Sequence, residues 1–79
     1  MAIQVLLVAT LRKYKTAYNP VTGFELAVQA GTTLRDLARQ LNIPGDEVKL
    51  IMVNGKSAPW ETALEGNERV SFFPPVGGG

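Results

Sequence analysis

The sequence predicts an α+β domain of two layers: a mixed sheet of four to five strands with one main helix packed on one face. Three observations predict it. Residues 3–9, 24–29, 49–53 and 69–73 are β-branched, aliphatic or alternating in the manner of strands. Only one segment, opening at Thr33, combines helical spacing with a capping signature. The resulting order is strand, strand, helix, strand, short strand, strand, and with 79 residues and 46% hydrophobic content it suits one small domain rather than a disordered chain.

Residues 3–9 (Ile-Gln-Val-Leu-Leu-Val-Ala) read as a mostly buried strand. Asn19-Pro20 and Gly23 mark a turn region, so residues 12–23 form a long hairpin connection. In residues 24–29, Phe24, Leu26 and Val28 share one face of a half-buried strand. Thr33 is placed to cap the helix, with Asp36 three residues later completing a capping box. Leu34, Leu37, Ala38 and Leu41 form the apolar stripe, while Arg35, Asp36, Arg39 and Gln40 face water. Asn42-Ile43-Pro44-Gly45 ends the helix, because Pro44 lacks an N–H and Gly45 supports a turn.

Asn54-Gly55 is a tight-turn signal joining residues 49–53 to a short strand at Lys56. Residues 57–64 are irregular, and Pro59 argues against a central strand there. After a turn at Gly66-Asn67, residues 69–73 form the last strand, with Val70 and Phe72 on one face and Arg69, Ser71 and Phe73 on the other. A hairpin, a crossing helix and further strands, with the two long strands parallel and central, make the β-grasp arrangement. Its second sheet face stays partly open, and apolar residues there are candidates for partner binding.

Composition removes several function classes. The chain has neither cysteine nor histidine, which eliminates disulfides, thiolate catalysis, imidazole bases and most transition-metal sites. A self-sufficient enzyme is therefore not expected. Eight Lys/Arg against seven Asp/Glu leave a net charge of +1, without the basic excess of a nucleic-acid binder. The longest apolar run, residues 5–9, is too short for a membrane span, and no secretory leader pattern opens the chain. The expectation is a cytoplasmic protein with no nucleic-acid or membrane partner.

The most informative stretch is the last one, Phe72-Phe73-Pro74-Pro75-Val76-Gly77-Gly78-Gly79. Pro74-Pro75 favours an extended backbone, and the glycines lack the Cβ that would clash in a narrow channel. Residues 74–79 extend on the order of 20 Å. Residues 1–73 are thus read as the folded domain and residues 74–79 as a flexible, glycine-rich arm.

The order of elements and this ending together resemble the MoaD/ThiS family of ubiquitin-like sulfur carriers. The resemblance spans nearly the whole chain. It includes Ala9-Thr10-Leu11-Arg12, the Gly31-Thr32-Thr33-Leu34-Arg35-Asp36-Leu37 helix start, Val53-Asn54-Gly55 and Leu64-Glu65-Gly66-Asn67-Glu68-Arg69-Val70. The tail is similar to the Phe-Phe-Pro-Pro-Val-x-Gly-Gly ending of the small subunit of molybdopterin synthase. Two departures stand out: Asn67 occupies a position that is often Asp in the family, and residues 41–56 lack the second helix common in molybdopterin subunits, which brings that stretch closer to thiamine-type carriers.

The resemblance implies a mechanism. A ubiquitin-activating-like adenylyltransferase uses ATP to form an acyl-adenylate on Gly79, and sulfur from a persulfide donor replaces AMP to leave a thiocarboxylate. The chain itself binds no cofactor or metal. Gly79 is the reacting residue, Gly77 and Gly78 give slim passage, and Phe73, Pro74, Pro75 and Val76 seat the arm on the partner. That partner is the molybdopterin synthase large subunit or another sulfur-accepting synthase, for thiamine thiazole, a sulfur amino acid or a tungsten cofactor. A ubiquitin-like protein modifier and a passive β-grasp interaction module are the alternatives.

Four other features are weighed. Arg12, Lys13 and Lys15 with Tyr14 and Tyr18 form either a basic aromatic patch or, as charge runs usually do, a solvated loop. Asp46-Glu47 reads as a solvated turn rather than a metal pair. Trp60 is an interface anchor or a lid on the core. Phe73, sent to the open face by strand alternation, reads as a docking residue.

Overall fold

The strands form because their apolar residues recur at every second position, which gives each one a face to bury. In the computed structural model, which describes residues 1–15 and 23–75, β1 spans Ala2–Leu7, β2 Phe24–Ala27, β3 Leu50–Val53, β4 Lys56–Ser57 and β5 Arg69–Phe73, with the helix α1 at Leu34–Gln40. Among the described residues they make one five-stranded sheet in the order β2-β1-β5-β3-β4. β1 and β5 pair in parallel from Gln4↔Arg69 to Leu7↔Phe72, and every other pairing is antiparallel. The expected mixed sheet with two parallel central strands is therefore observed.

The core lies between the sheet and α1. Ile3, Val5 and Leu7 of β1, Ile51 of β3 and Val70 and Phe72 of β5 are buried together with Leu34, Leu37 and Ala38 of α1. Leu41, the fourth member of the expected stripe, is only half-buried at the rim. Burying a phenylalanine or leucine side chain contributes about 1.5–3 kcal/mol, so nine fully enclosed large side chains carry this small fold.

The ends of α1 follow from local chemistry. The Asp36 N–H donates to Thr33 Oγ1 at 3.1 Å, and the Thr33 N–H donates back to Asp36 Oδ2 at 3.4 Å, which is the capping box. Its other end falls at the expected segment, with Asn42 rather than Pro44 making the stop. Asn42 adopts φ +61°, the Ile43 N–H reaches the Ala38 carbonyl at 2.9 Å, and the Asn42 N–H reaches that of Arg39 at 3.1 Å. That is a Schellman stop with asparagine in the left-handed position, so the helix has ended before Pro44.

β1 is also shorter than expected. Its ladder ends at Leu7, the chain turns at Ala9 with φ +53°, and a 3-10 turn runs over Ala9–Tyr14. This turn inserts Leu11 fully into the core, which outweighs the apolar character that would have extended the strand. At the start of β2, Gly23 has φ +79°, and a Cβ there would lie 2.1 Å from the Val5 carbonyl oxygen, so only glycine lets the two strands close. Asn54 and Gly55 both have positive φ, as a tight hairpin turn of this type requires.

The loop that feeds β5 is held by a carboxylate. Glu68 accepts from the Glu65 and Gly66 N–H groups, both at 2.7 Å. Burial pushes its carboxyl up, but the backbone N–H groups of Glu65, Gly66 and Glu68 outweigh this and leave it below the ordinary glutamate range.

Two outcomes are expected. Phe72→Ala should cost about 3–5 kcal/mol in urea unfolding, because it opens a cavity at the sheet centre. Glu68→Gln should destabilise by about 1 kcal/mol at neutral pH, the size of one charged hydrogen bond discounted for exposure. Because the folded carboxyl titrates below its unfolded counterpart, the wild-type advantage is complete above the unfolded value. It fades as pH falls through the folded one, so denaturation midpoints of the two proteins should converge in acid.

Candidate functional site

The site is built where β5 leaves the sheet. Alternation turns Val70 and Phe72 toward α1 and therefore turns Ser71 and Phe73 to the opposite face. Phe73 pairs across the sheet with Leu50, one of the large hydrophobic residues left exposed, at 40%. The Lys49 N–H donates to the Phe73 carbonyl at 2.7 Å, fixing the last residue of the strand. Pro74 is half-buried and Pro75 exposed, so the chain departs along the surface.

An apolar groove of about 480 Å³ surrounds this exit. Phe73, Pro74 and Pro75 form one side, and Val8, Ala9 and Leu50 belong to the rest of its lining. A second depression of about 440 Å³ shares Phe73 and runs past Met52 and Ser71 to Arg69. Half-buried Leu6 and Met52 lie on the same sheet face, so the apolar surface continues inward from the groove. It is rimmed by the Lys49 and Arg69 side chains. Exposed apolar surface with a charged rim is the kind of surface suited to protein contacts.

The structure thus brings Phe73, Pro74 and Pro75 together on one groove. Val76, Gly77, Gly78 and Gly79 lie outside the described residues. Val8, Ala9 and Thr10 line the groove as well, a role the sequence reading did not give them. They reach it because β1 stops at Leu7 and the chain turns at Ala9; the only trace in the sequence is an apolar pair placed beyond the last ladder residue.

The other candidate residues fall elsewhere. Arg12, Lys13 and Lys15 are exposed, with Lys13 3.4 Å from Glu47 and 5.3 Å from the Tyr14 ring centre, and Lys15 over Phe24. Burial first, and then the Glu47 carboxylate, raise the Tyr14 hydroxyl above its ordinary value, with Lys13 opposing. Tyr18 lies outside the described residues. Asp46 and Glu47 sit in a single 3-10 turn, Gly45–Glu47, where the sequence reading found no second helix. Among the described residues no three His, Cys, Asp or Glu side chains gather as a metal site would require, and no helix is long and apolar enough to cross a membrane. Trp60 is half-buried against the core.

A five-stranded mixed sheet with one helix across it, and an apolar exit groove on the uncovered face, defines a ubiquitin-like β-grasp protein. Residues 5–79 match the model of the ThiS family, and the chain belongs to that family. Its members are small carrier proteins of the ThiS/MoaD type.

Solved structures share this fold. SAMP1 from Haloferax volcanii superposes with a TM-score of 0.72 at 18% identity, covering 100% of both chains. A Pyrococcus furiosus protein assigned as molybdopterin converting factor, subunit 1, superposes with a TM-score of 0.72 at 22% identity, covering 95% of this chain and 98% of the other. The Haloferax volcanii HVO 2177 protein gives a TM-score of 0.74 at 24% identity, covering 100% of this chain and 87% of its own. Among curated proteins no sequence relative matches.

Neighbouring Phe72 and Phe73 should separate cleanly by experiment. Phe73→Ala is expected to cost about 1 kcal/mol, from half-burial and one cross-strand pair, against the several lost at Phe72. Urea denaturation of the two variants side by side checks this.

Proposed function

We propose that this chain carries sulfur as a thiocarboxylate on Gly79 for the synthesis of a molybdopterin-type cofactor. The observation that carries the proposal is the Phe73-Pro74-Pro75 exit: an aromatic residue and two prolines, set on an apolar groove, lead directly into the glycine-ended arm of residues 74–79. Membership of the ThiS family supports the carrier role. The tail string and the likeness to the Pyrococcus furiosus converting-factor protein support the pterin pathway over the thiazole, sulfur amino acid and tungsten-cofactor routes.

In this reading residues 1–73 are the body that the partners recognise, and the work is cytoplasmic. The Gly79 carboxylate attacks the α-phosphorus of ATP on an adenylyltransferase of the ubiquitin-activating kind, releasing pyrophosphate. Adenylation turns a poor acyl leaving group into a good one. A persulfide sulfur then attacks the acyl carbon and AMP departs; a thiol cleaves the acyl disulfide to free the thiocarboxylate. The partners supply nucleotide site, metal and base, which accords with a chain that has no cysteine or histidine of its own. Phe73, Pro74, Pro75 and Val76 seat the arm on the synthase large subunit, while Gly77 and Gly78 pass through its channel.

A second reading is favoured by one observation. SAMP1 is a small archaeal modifier protein of the same fold, so the same arm also suits an isopeptide bond between Gly79 and a lysine of another protein.

Intact-mass measurement after incubation with the activating enzyme, ATP and a sulfur donor decides between them. Exchange of one oxygen for sulfur on Gly79, abolished when Gly79 is deleted and the fold retained, is the expected result. A chain that instead appears on lysines of other proteins, with no thiocarboxylated pool, would establish the modifier role.

A further inference from the structure

The side of the molecule away from the exit groove carries a second cleft. It has a volume of about 270 Å³ and is lined by Arg35, Ala38, Arg39, Ile43, Gly45 and Trp60. Arg35 and Arg39 stand four residues apart, so both project from the same side of α1. Their situations differ. Arg35 is engaged: its Nη2 lies 2.5 Å from Glu61 Oε2 and its guanidinium sits 5.9 Å from the Trp60 ring centre. It therefore acts as a wall of fixed orientation. Arg39 is exposed and, among the described residues, has neither an ion pair nor a hydrogen-bond acceptor.

The guanidinium groups and backbone make the cleft's exposed lining more polar than apolar, and its floor is apolar. Ala38 and Ile43 are buried and Trp60 is half-buried. Gly45 keeps one side open: a Cβ there would point at the indole, 3.9 Å from Trp60 Cζ2, so a larger side chain would fill the space. No carboxylate lines the cleft, and the one on its rim, Glu61, is already taken by Arg35. The unmatched charge is one guanidinium beside an apolar floor.

We propose that this cleft is a docking pocket for a partner protein's acidic segment, with a carboxylate on the Arg39 guanidinium and an adjacent apolar side chain against Ile43 and Trp60. Guanidinium and carboxylate match as planar, two-pronged partners. A peptide fits better than a nucleic acid strand, because one unpaired guanidinium matches a single carboxylate and the chain's net charge of +1 gives no basic track for a polyanion. The cleft opens on the α1 layer and Phe73 faces the other side of the sheet, so both surfaces are usable at once. The inference does not rest on the sulfur-carrier reading.

Trp60 is the only tryptophan of the chain and reports on its own pocket. The probe is a blocked tetrapeptide of alternating glutamate and leucine, titrated into the full chain and followed by tryptophan fluorescence and amide chemical shifts. A saturable change centred on Arg39, Gly45 and Trp60 is expected. Replacing the glutamates by glutamines, or making Arg39→Gln, should weaken binding about tenfold or more, the factor expected for one charge-assisted hydrogen bond. Gly45→Leu should block binding without changing charge. Should that variant fail to fold, the exposed Arg39→Gln carries the test alone, with its urea midpoint as the fold control. No saturable change at millimolar peptide, equal affinity for the glutamine peptide, an unaffected Arg39→Gln, or tighter binding of a uridine oligonucleotide would each overturn the proposal.

Discussion

The parallel pairing of β1 with β5 is the constraint on which the rest of this structure depends. Parallel neighbours cannot be joined by a tight turn, so the intervening chain must cross over the sheet, and α1 with its flanking loops makes that crossing. The crossing covers one sheet face and leaves the other uncovered. It also places the C-terminal strand at the centre, held by β1 on one side and β3 on the other. The last strand residue, Phe73, thus leaves the sheet from its central strand.

That placement sets an apolar groove with Lys49 on its lining around the point where the chain leaves the sheet. Phe72 and Phe73 show how sharply one step along a strand divides core from surface: the first is sealed in the core, and the second opens onto the groove. A one-residue slip in the β5 register would exchange them, so the Glu68-anchored loop protects the groove as well as the core.

Much of this was legible in the sequence because the signals are local. The capping box at Thr33 and Asp36, the turn at Asn54-Gly55 and the alternation through Val70, Phe72 and Phe73 each depend on residues a few positions apart. The readings that missed depended on distant contacts. Nothing near Leu11 says that a 3-10 turn will carry it into the core, since the benefit comes from side chains on other elements. The end of α1 was legible as residues 42–45, but not that Asn42 rather than Pro44 makes the stop, through left-handed geometry that asparagine tolerates. The groove was half legible: Phe73 and the prolines declared themselves, whereas Val8 and Ala9 join it only because β1 stops early. The cleft beside Trp60 required Arg39, Gly45 and Trp60 to be brought together from three separate segments.

The central position of β5 also bears on how the chain comes to be folded. During synthesis, β1 waits for a neighbour that emerges only after every other strand has been made, and the pairing joins segments far apart in sequence, which slows closure. A chain broken off before Arg69 lacks the middle strand of its sheet, and an unfolded chain is open to proteolysis. Folding therefore acts as a proofreading step: a body able to reach its native state already includes the strand from which the arm departs.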